Sequence, residues 1–187
     1  YSDIYREDTD RRNRRLHHIA ETAKLLNSDG PLAQRIAIES MGRPAPGSLS
    51  LVTVCSNLST SGPWDYLRDS DAPSRTPSRA ARLISTYFDA VRSLWPEEWD
   101  SPRRRWLLTN NGFAVFIMLF RDLLTYLRYV GDERLLRESR SGELRARLRE
   151  MLEPIAERMS SVADERTQIA DMVRSASSHG NQIIAAA

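Results

Sequence analysis

The sequence contains only one cysteine and only one lysine. Cys55 cannot form an internal disulfide, and its apolar neighbours in "LVTVCSNL" are typical of a buried, unreactive thiol. No secretory signal pattern opens the sequence, so we expect the protein to work in a reducing cytoplasm. Apart from the single lysine, the 27 basic side chains are all arginines.

Long apolar runs are also missing. The longest, "FAVFIMLF" at residues 113–120, has eight residues. A membrane-spanning helix needs about 20 apolar residues. We therefore expect no membrane association, and we interpret residues 113–120 as a helical segment that is buried on all sides.

The sequence also lacks the common catalytic motifs. It has no glycine-rich phosphate loop, no G-x-S-x-G and no H-E-x-x-H. His17 and Glu21 are four residues apart on a predicted helix, a spacing that metal ligands use, but no further His or Cys ligand accompanies them. We therefore predict that the protein is not an enzyme and that it needs no cofactor and no metal.

What the sequence does contain is helical periodicity. A first helix is predicted over residues 12–27, ended by the polar and turn-forming residues 27–31. The clearest helix runs from residue 78 until Pro96 ends it. Its predicted core face consists of Ala80, Leu83, Ile84, Tyr87, Phe88, Val91, Leu94 and Trp95. Residues 102–130 are predicted to form two helical pieces that are divided near residues 110–112.

The remaining segments complete a mainly α fold with little or no sheet. Residues 61–78 are loop-like, and a short helix is predicted from Ser48. From residue 132 the chain is charged and helical, with a stripe formed by Leu144, Leu148, Met151 and Ile155 and a new first turn at Pro154. We predict a helical core domain over residues 1–130 and a charged helical C-terminal extension over residues 131–187 that packs on it.

Basic charge is concentrated in the middle of the chain. Residues 71–130 carry nine basic and six acidic side chains. Arg75, Arg79 and Arg82 lie at the start of one predicted helix, with no acid among them. A second cluster, Arg103, Arg104 and Arg105, follows Ser101 and Pro102, which are typical of a helix start.

Cations at a helix start oppose the helix dipole, by about 0.3–1 kcal/mol each when exposed. If the two starts converge in space, their N–H groups and guanidinium groups form an anion site that suits phosphate. If they do not converge, each cluster is a solvated charged surface. The arginine-rich composition itself fits phosphate recognition and the codon bias of a G+C-rich genome equally well.

Two other features favour structural roles. The cluster "RRNRR" at residues 11–15 is flanked by Glu7, Asp8 and Asp10, so it is interpreted as a surface of mixed charge. The tryptophans could stack on bases, but packing in the core is favoured for all of them. These tryptophans are Trp64, Trp95, Trp99 and Trp106.

Several stretches, taken in order, resemble the later part of DndB-like proteins, the wider DGQHR-domain group linked to DNA phosphorothioate modification. They are "YSDI" at 1–4, "LLNSDGPLAQRI" at 25–36, "RPAPGSLSLVTVCSNL" at 43–58, "YFDAVRSLWPEEW" at 87–99 and "LLTNNGFAVFIMLFRDLL" at 107–124. The family's first half resembles the ParB-like α/β fold and carries the motif Asp-Gly-Gln-His-Arg, which this chain lacks. Tyr5 also stands where asparagine usually follows "SDI". The expected match is therefore the helical later half alone, and no functional residues are carried over.

Two functions are consistent with these observations. The resemblance implies a bacterial DNA-binding transcriptional regulator, a repressor in the phosphorothioation system, and the arginines of both clusters would supply phosphate contacts without base reading. The alternative is a helical module that binds another protein of the same system or a second copy of this chain without touching DNA. The charged amphipathic segment over residues 132–175 favours this second function.

Overall fold

The computed structural model describes residues 2–38, 49–60, 62–100, 105–137 and 140–161, with side chains from residue 9 onward except those of residues 105, 160 and 161. These residues form a mainly helical fold with one small sheet, which confirms the predicted fold class. The α-helices are α1 (Ser2–Ser28), α2 (Leu51–Thr60), α3 (Trp64–Leu67), α4 (Thr76–Leu94), α5 (Pro96–Asp100), α6 (Asn110–Tyr129) and α7 (Ser141–Ser161). Within the described ranges, 3-10 helices at Pro73–Arg75, Arg105–Leu108 and Asp132–Leu136 connect them.

The sheet consists of two short parallel strands, β1 (Ile36–Ala37) and β2 (Leu49–Ser50). Ile36 pairs with Leu49, and both side chains are buried. The turn after α1 positions β1, since the Asn27 side-chain oxygen accepts a hydrogen bond from the Ile36 N–H at 2.8 Å. Gly30 in this turn has φ of +83°, a conformation that favours glycine. The predicted end of the first helix is thus confirmed.

The core is arranged around α4. Its predicted face is confirmed, except that Leu94 is only partly buried: Ala80, Leu83, Ile84, Tyr87, Phe88 and Val91 are buried, and Trp95 is buried directly after the helix. Helices α1 and α7 pack against α4, and aromatic rings of α6 contact it. The predicted loop over residues 61–78 contains α3 and a 3-10 helix, because Trp64 and Leu67 are buried in the same core.

Helix α6 begins later than the second arginine cluster. Thr109 is its N-cap, and the Thr109 Oγ1 accepts a hydrogen bond from the Gly112 N–H at 3.1 Å. A Cβ at Gly112 would lie 2.1 Å from the Trp106 carbonyl oxygen, so only glycine fits there. Residues 110–112 therefore form the first turn of α6, and the piece before it is one 3-10 helix. The predicted helix start at Ser101 and Pro102 lies outside the described residues.

Helix α7 corrects two predictions. Pro154 lies inside the helix, not at a new first turn. The buried stripe is Leu144, Leu148, Leu152 and Ala156, so the predicted Met151 and Ile155 were wrong by one position. Met151 is half-buried and Ile155 is exposed, because steps of four residues keep side chains on the face that packs against α4. The continuation of the stripe beyond residue 161 lies outside the described residues.

Candidate nucleic-acid interface

The first arginine cluster lies where the sequence predicted it, at the start of α4. Arg75 ends the 3-10 helix that leads into α4, and its side chain is exposed. Arg79 and Arg82 follow at spacings of four and three residues, which place all three side chains on one face. Arg79 and Arg82 are only half exposed, so the three arginines are in different environments.

Arg79 is used inside the fold. Its Nη1 donates to the carbonyl oxygens of Arg68 at 2.7 Å, Leu67 at 3.2 Å and Tyr66 at 3.4 Å. These carbonyls belong to the end of α3 and the residue after it, where the helix leaves C=O groups without an intrahelical donor. Arg79 therefore ties the end of α3 to the start of α4.

Arg82 also donates to neighbouring segments, in this case to the 3-10 helix Asp132–Leu136 and to α7. Its Nη2 donates to the Leu136 carbonyl oxygen at 2.9 Å, and its Nη1 donates to the Ser141 hydroxyl at 3.2 Å. Leu136 ends the 3-10 helix Asp132–Leu136, and Ser141 begins α7. Arg79 and Arg82 were predicted as phosphate contacts. In the structure, both donate hydrogen bonds to carbonyl oxygens at the ends of neighbouring helices and so hold those helices in place.

The second arginine cluster is described only at the backbone of Arg105. Helix α4 has 19 residues, which corresponds to about 28 Å. Arg75, Arg79 and Arg82 lie at its beginning, whereas the ring of Trp106, next to Arg105, lies 6.0 Å from the ring of Phe116. That ring in turn contacts Trp95, directly after the end of α4. Trp106, the residue after Arg105, thus packs near the end of α4. Arg103, Arg104 and the side chain of Arg105 lie outside the described residues, so a shared anion site stays a prediction.

The structure adds exposed arginines that sequence reasoning missed. Arg68 directly follows α3, Arg134 lies in the 3-10 helix Asp132–Leu136, and Arg137 directly follows that helix. All three side chains are exposed, as is Arg75. Because Arg79 binds the carbonyl of Arg68 and Arg82 binds the carbonyl of Leu136, the exposed arginines stand on both sides of the α4 start. We call Arg68, Arg75, Arg134 and Arg137 the arginine surface.

Acidic groups near the arginine surface are partly engaged elsewhere. The Asp69 Oδ1 accepts the N–H groups of Asp71 and Ala72, at 3.1 and 2.9 Å. Glu133 forms an ion pair with Arg128 at 2.7 Å, and Asp132 lies 3.7 Å from Arg147. Asp65 and Asp71 are exposed on the α3 side. The four arginines of the surface make no ion pair with any of the described side chains.

Tyr66 of α3, close in sequence to Arg68, connects α3 to α6. The Thr125 hydroxyl donates to the Tyr66 hydroxyl at 2.9 Å, which joins α6 to α3. The guanidinium of Arg128 lies over the Tyr66 ring, 5.9 Å from its centroid. Helix α6 therefore ends between α3 and the 3-10 helix that carries Arg134.

The "RRNRR" segment lies on α1. Arg12 and Arg14 are exposed, whereas the Arg15 Nη2 donates to the Ser59 carbonyl at the end of α2, 2.8 Å away. His17 is exposed and His18 is half-buried. Within the ranges that the structure describes, no three His, Cys, Asp or Glu side chains lie close enough together to hold a metal ion.

The tryptophans and the cysteine have structural roles. Trp64, Trp95, Trp99 and Trp106 are all buried, which confirms that they pack in the core. Cys55 is half-buried, and burial raises the pKa of its thiol, so the thiol stays protonated near neutral pH. None of the helices in the described ranges has the length and apolar character needed to cross a bilayer.

A shallow groove of about 460 Å³ lies along α7. Charged side chains of both signs line it: Arg145, Arg149, Glu150 and Glu153. The two arginines and two glutamates cancel, so the groove has no net charge that would attract an anion. The arginine surface is the better candidate for binding.

Comparison of the chain with protein-family models, curated protein sequences and solved structures gives no match. The resemblance to the DGQHR-domain family therefore stays a prediction from the sequence.

Proposed function

We propose that the chain binds DNA through phosphate contacts made by the arginine surface at the start of α4. The observation that carries this proposal is that Arg68, Arg75 and Arg137 lie exposed around the start of α4. Hydrogen bonds from α4 to the carbonyls of Arg68 and Leu136 fix the segments that carry Arg68 and Arg137. Guanidinium groups bind phosphate in a bidentate way, and such contacts carry no base information. The binding is therefore electrostatic and tolerant of sequence.

The resemblance adds the biological setting. A DndB-like protein would use this binding to regulate genes for DNA phosphorothioate modification in a bacterial cytoplasm. Arg103, Arg104 and Arg105 belong to the proposal as further phosphate contacts, because an extended DNA backbone can be contacted at more than one place. No step of this proposal requires a cofactor or an enzymatic reaction.

Fluorescence anisotropy with a labelled duplex across a salt series tests the proposal. Affinity should fall steeply with salt, because each neutralised phosphate contributes about 0.9 to the slope of log affinity against log salt. The double variant Arg75→Glu, Arg137→Glu should weaken binding and reduce that slope by about 2. The triple reversal of Arg103, Arg104 and Arg105 to glutamate measures the contribution of the second group separately.

The matched control is Arg145→Glu, Arg149→Glu on α7. It reverses the same number of exposed arginines away from the arginine surface. This control should reduce affinity much less than the Arg75, Arg137 pair. Equal losses from both pairs would contradict a localised site. No binding of either duplex or single-stranded DNA at low salt would favour the helical interaction module instead.

A further inference from the structure

The last turn of α6 exposes an unusual amount of aromatic surface. Tyr129 is 88% exposed and Tyr126 is 45% exposed, although both belong to a helix whose other face is buried in the core. Their spacing of three residues places the two rings side by side on the helix surface. Val130, which is 41% exposed, extends the same apolar area.

This aromatic area lies next to the arginine surface. The residues between the two tyrosines and beside them connect α6 to its neighbours: Thr125 donates to Tyr66 on α3, and Arg128 pairs with Glu133. Glu133 precedes Arg134 in the same 3-10 helix, and Arg137 follows that helix. The exposed rings of Tyr126 and Tyr129 therefore lie in the same part of the fold as Arg134 and Arg137, which make no ion pair with the described side chains.

That combination suits one ligand in particular. Cationic side chains bind the phosphates of a nucleic acid, and aromatic side chains stack on the faces of unpaired bases. In a duplex these faces are stacked inside the helix and are not accessible to the protein. We propose that the arginine surface, together with Tyr126 and Tyr129, binds single-stranded DNA in preference to duplex DNA, with bases stacked on the tyrosines. This inference rests on the proposed function and names its ligand more narrowly.

The direct test compares three labelled ligands of about 15 nucleotides, a length that suits one small binding face. They are a thymidine strand, a duplex, and a strand of the same charge in which abasic sites replace the bases. The complete chain should bind the thymidine strand most tightly. The abasic strand keeps the phosphates and loses only the stacking, so its weaker binding isolates the contribution of the bases.

Variants assign that contribution to the rings. Tyr129→Ala should weaken binding of the thymidine strand about 5-fold to 100-fold and leave binding of the abasic strand unchanged. The slope against salt should not change, because no charge is removed. Tyr129→Phe should keep the affinity because it keeps the ring, and Tyr129→Leu should lose it although it keeps an apolar side chain.

The control variant is Val52→Ala on α2. Val52 is 77% exposed, so this change also removes exposed apolar surface from a helix outside the proposed site. It should leave the affinity for all three ligands unchanged. Circular dichroism and urea unfolding of each variant verify that the fold is kept.

The outcomes separate this inference from the proposed function. Equal binding of thymidine and abasic strands, or duplex binding as tight as single-strand binding with no effect of Tyr129→Ala, would overturn the inference and leave phosphate binding intact. No binding of any of the three would overturn both. Self-association that Tyr129→Ala abolishes, without loss of strand binding, would assign the tyrosines to a contact between copies of the chain and also overturn the inference.

Discussion

At the amino-terminal end of α4, arginine side chains reach neighbouring carbonyl oxygens, whereas at its carboxyl-terminal end aromatic rings fill the space. Arg79 and Arg82 each donate to carbonyls of adjacent segments. Around Trp95, Trp99 and Trp106, in contrast, the indole N–H groups find no acceptor in the part of the chain that the structure describes. One end of the helix is joined to its neighbours by hydrogen bonds and the other by packing.

The magnitudes explain why both arrangements are stable. An unsatisfied buried donor costs about 1–3 kcal/mol. Burying about 200 Å² of an aromatic side chain stabilises the fold by about 5 kcal/mol, which exceeds that cost. The buried residues of the first turns of α4 are Thr76, Pro77, Ala80 and Ala81, none of which is aromatic. Hydrogen bonds from the charged groups of Arg79 and Arg82, at about 1.5–3 kcal/mol each, add to the packing there.

The largest effect should come from the aromatic end. Phe88 is fully buried and stacks on Phe113 with ring centroids 5.5 Å apart. Phe88→Ala should lower the free energy of unfolding by about 3–5 kcal/mol, since it leaves a cavity among rings that cannot collapse into it. Urea unfolding followed by circular dichroism measures this. Phe88→Leu should lower the free energy of unfolding clearly less than Phe88→Ala does, because it leaves a smaller cavity. A loss of less than about 1 kcal/mol for Phe88→Ala would show that packing does not dominate at this end.

A smaller effect should come from the arginine end. Arg82→Met keeps the length of the side chain and removes the donors to Leu136 and Ser141, so we expect a loss of about 1–3 kcal/mol. The matched control is Arg75→Met, which changes an exposed arginine of the same surface and should alter stability by less than about 0.5 kcal/mol. The same unfolding assay applies. An equally small decrease in the free energy of unfolding for both variants would show that the hydrogen bonds of Arg82 do not stabilise the start of α4.

The smallest effect concerns pH. Tyr87 is fully buried, its hydroxyl donates to the Phe116 carbonyl at 2.9 Å, and burial raises the pKa of the phenol well above its usual value. The unfolded chain loses this proton near pH 10 while the folded chain keeps it, so stability is lost as pH rises above about 10. We expect part of this stability to be lost already at a pH of about 11.

Tyr87→Phe removes this titration. Its free energy of unfolding should be lower than that of the unmodified chain near neutral pH, because the hydrogen bond is lost, and the difference should shrink as pH rises above about 10. Urea midpoints at about pH 8 and pH 11 measure this. A constant difference across that range would show that Tyr87 ionises equally easily in the folded and unfolded chain.

The helices could be predicted where one face is strongly apolar. Apart from Leu94, the core face of α4 followed from spacing, because long apolar side chains at steps of three and four have to be buried together. The packing of the four tryptophans followed from the large apolar area of their side chains. In α7 the apolar positions are fewer, and Met151 and Ile155 competed with Leu152 and Ala156 for the buried face. Only the contact with α4 decides between neighbouring positions of that kind.

The arginines could be found in the sequence, but their roles could not. Arg75, Arg79 and Arg82 look alike at the start of α4, yet one is exposed and two bind carbonyl oxygens. Arg68 and Arg137 gave no signal, because each directly follows a different short helix that comes next to α4 only through tertiary contacts. Sequence by itself therefore determined the helical class and the main core face, since hydrophobic periodicity is local. The tertiary structure alone decided which cations are free to bind a ligand, because carbonyl groups distant in sequence compete for them.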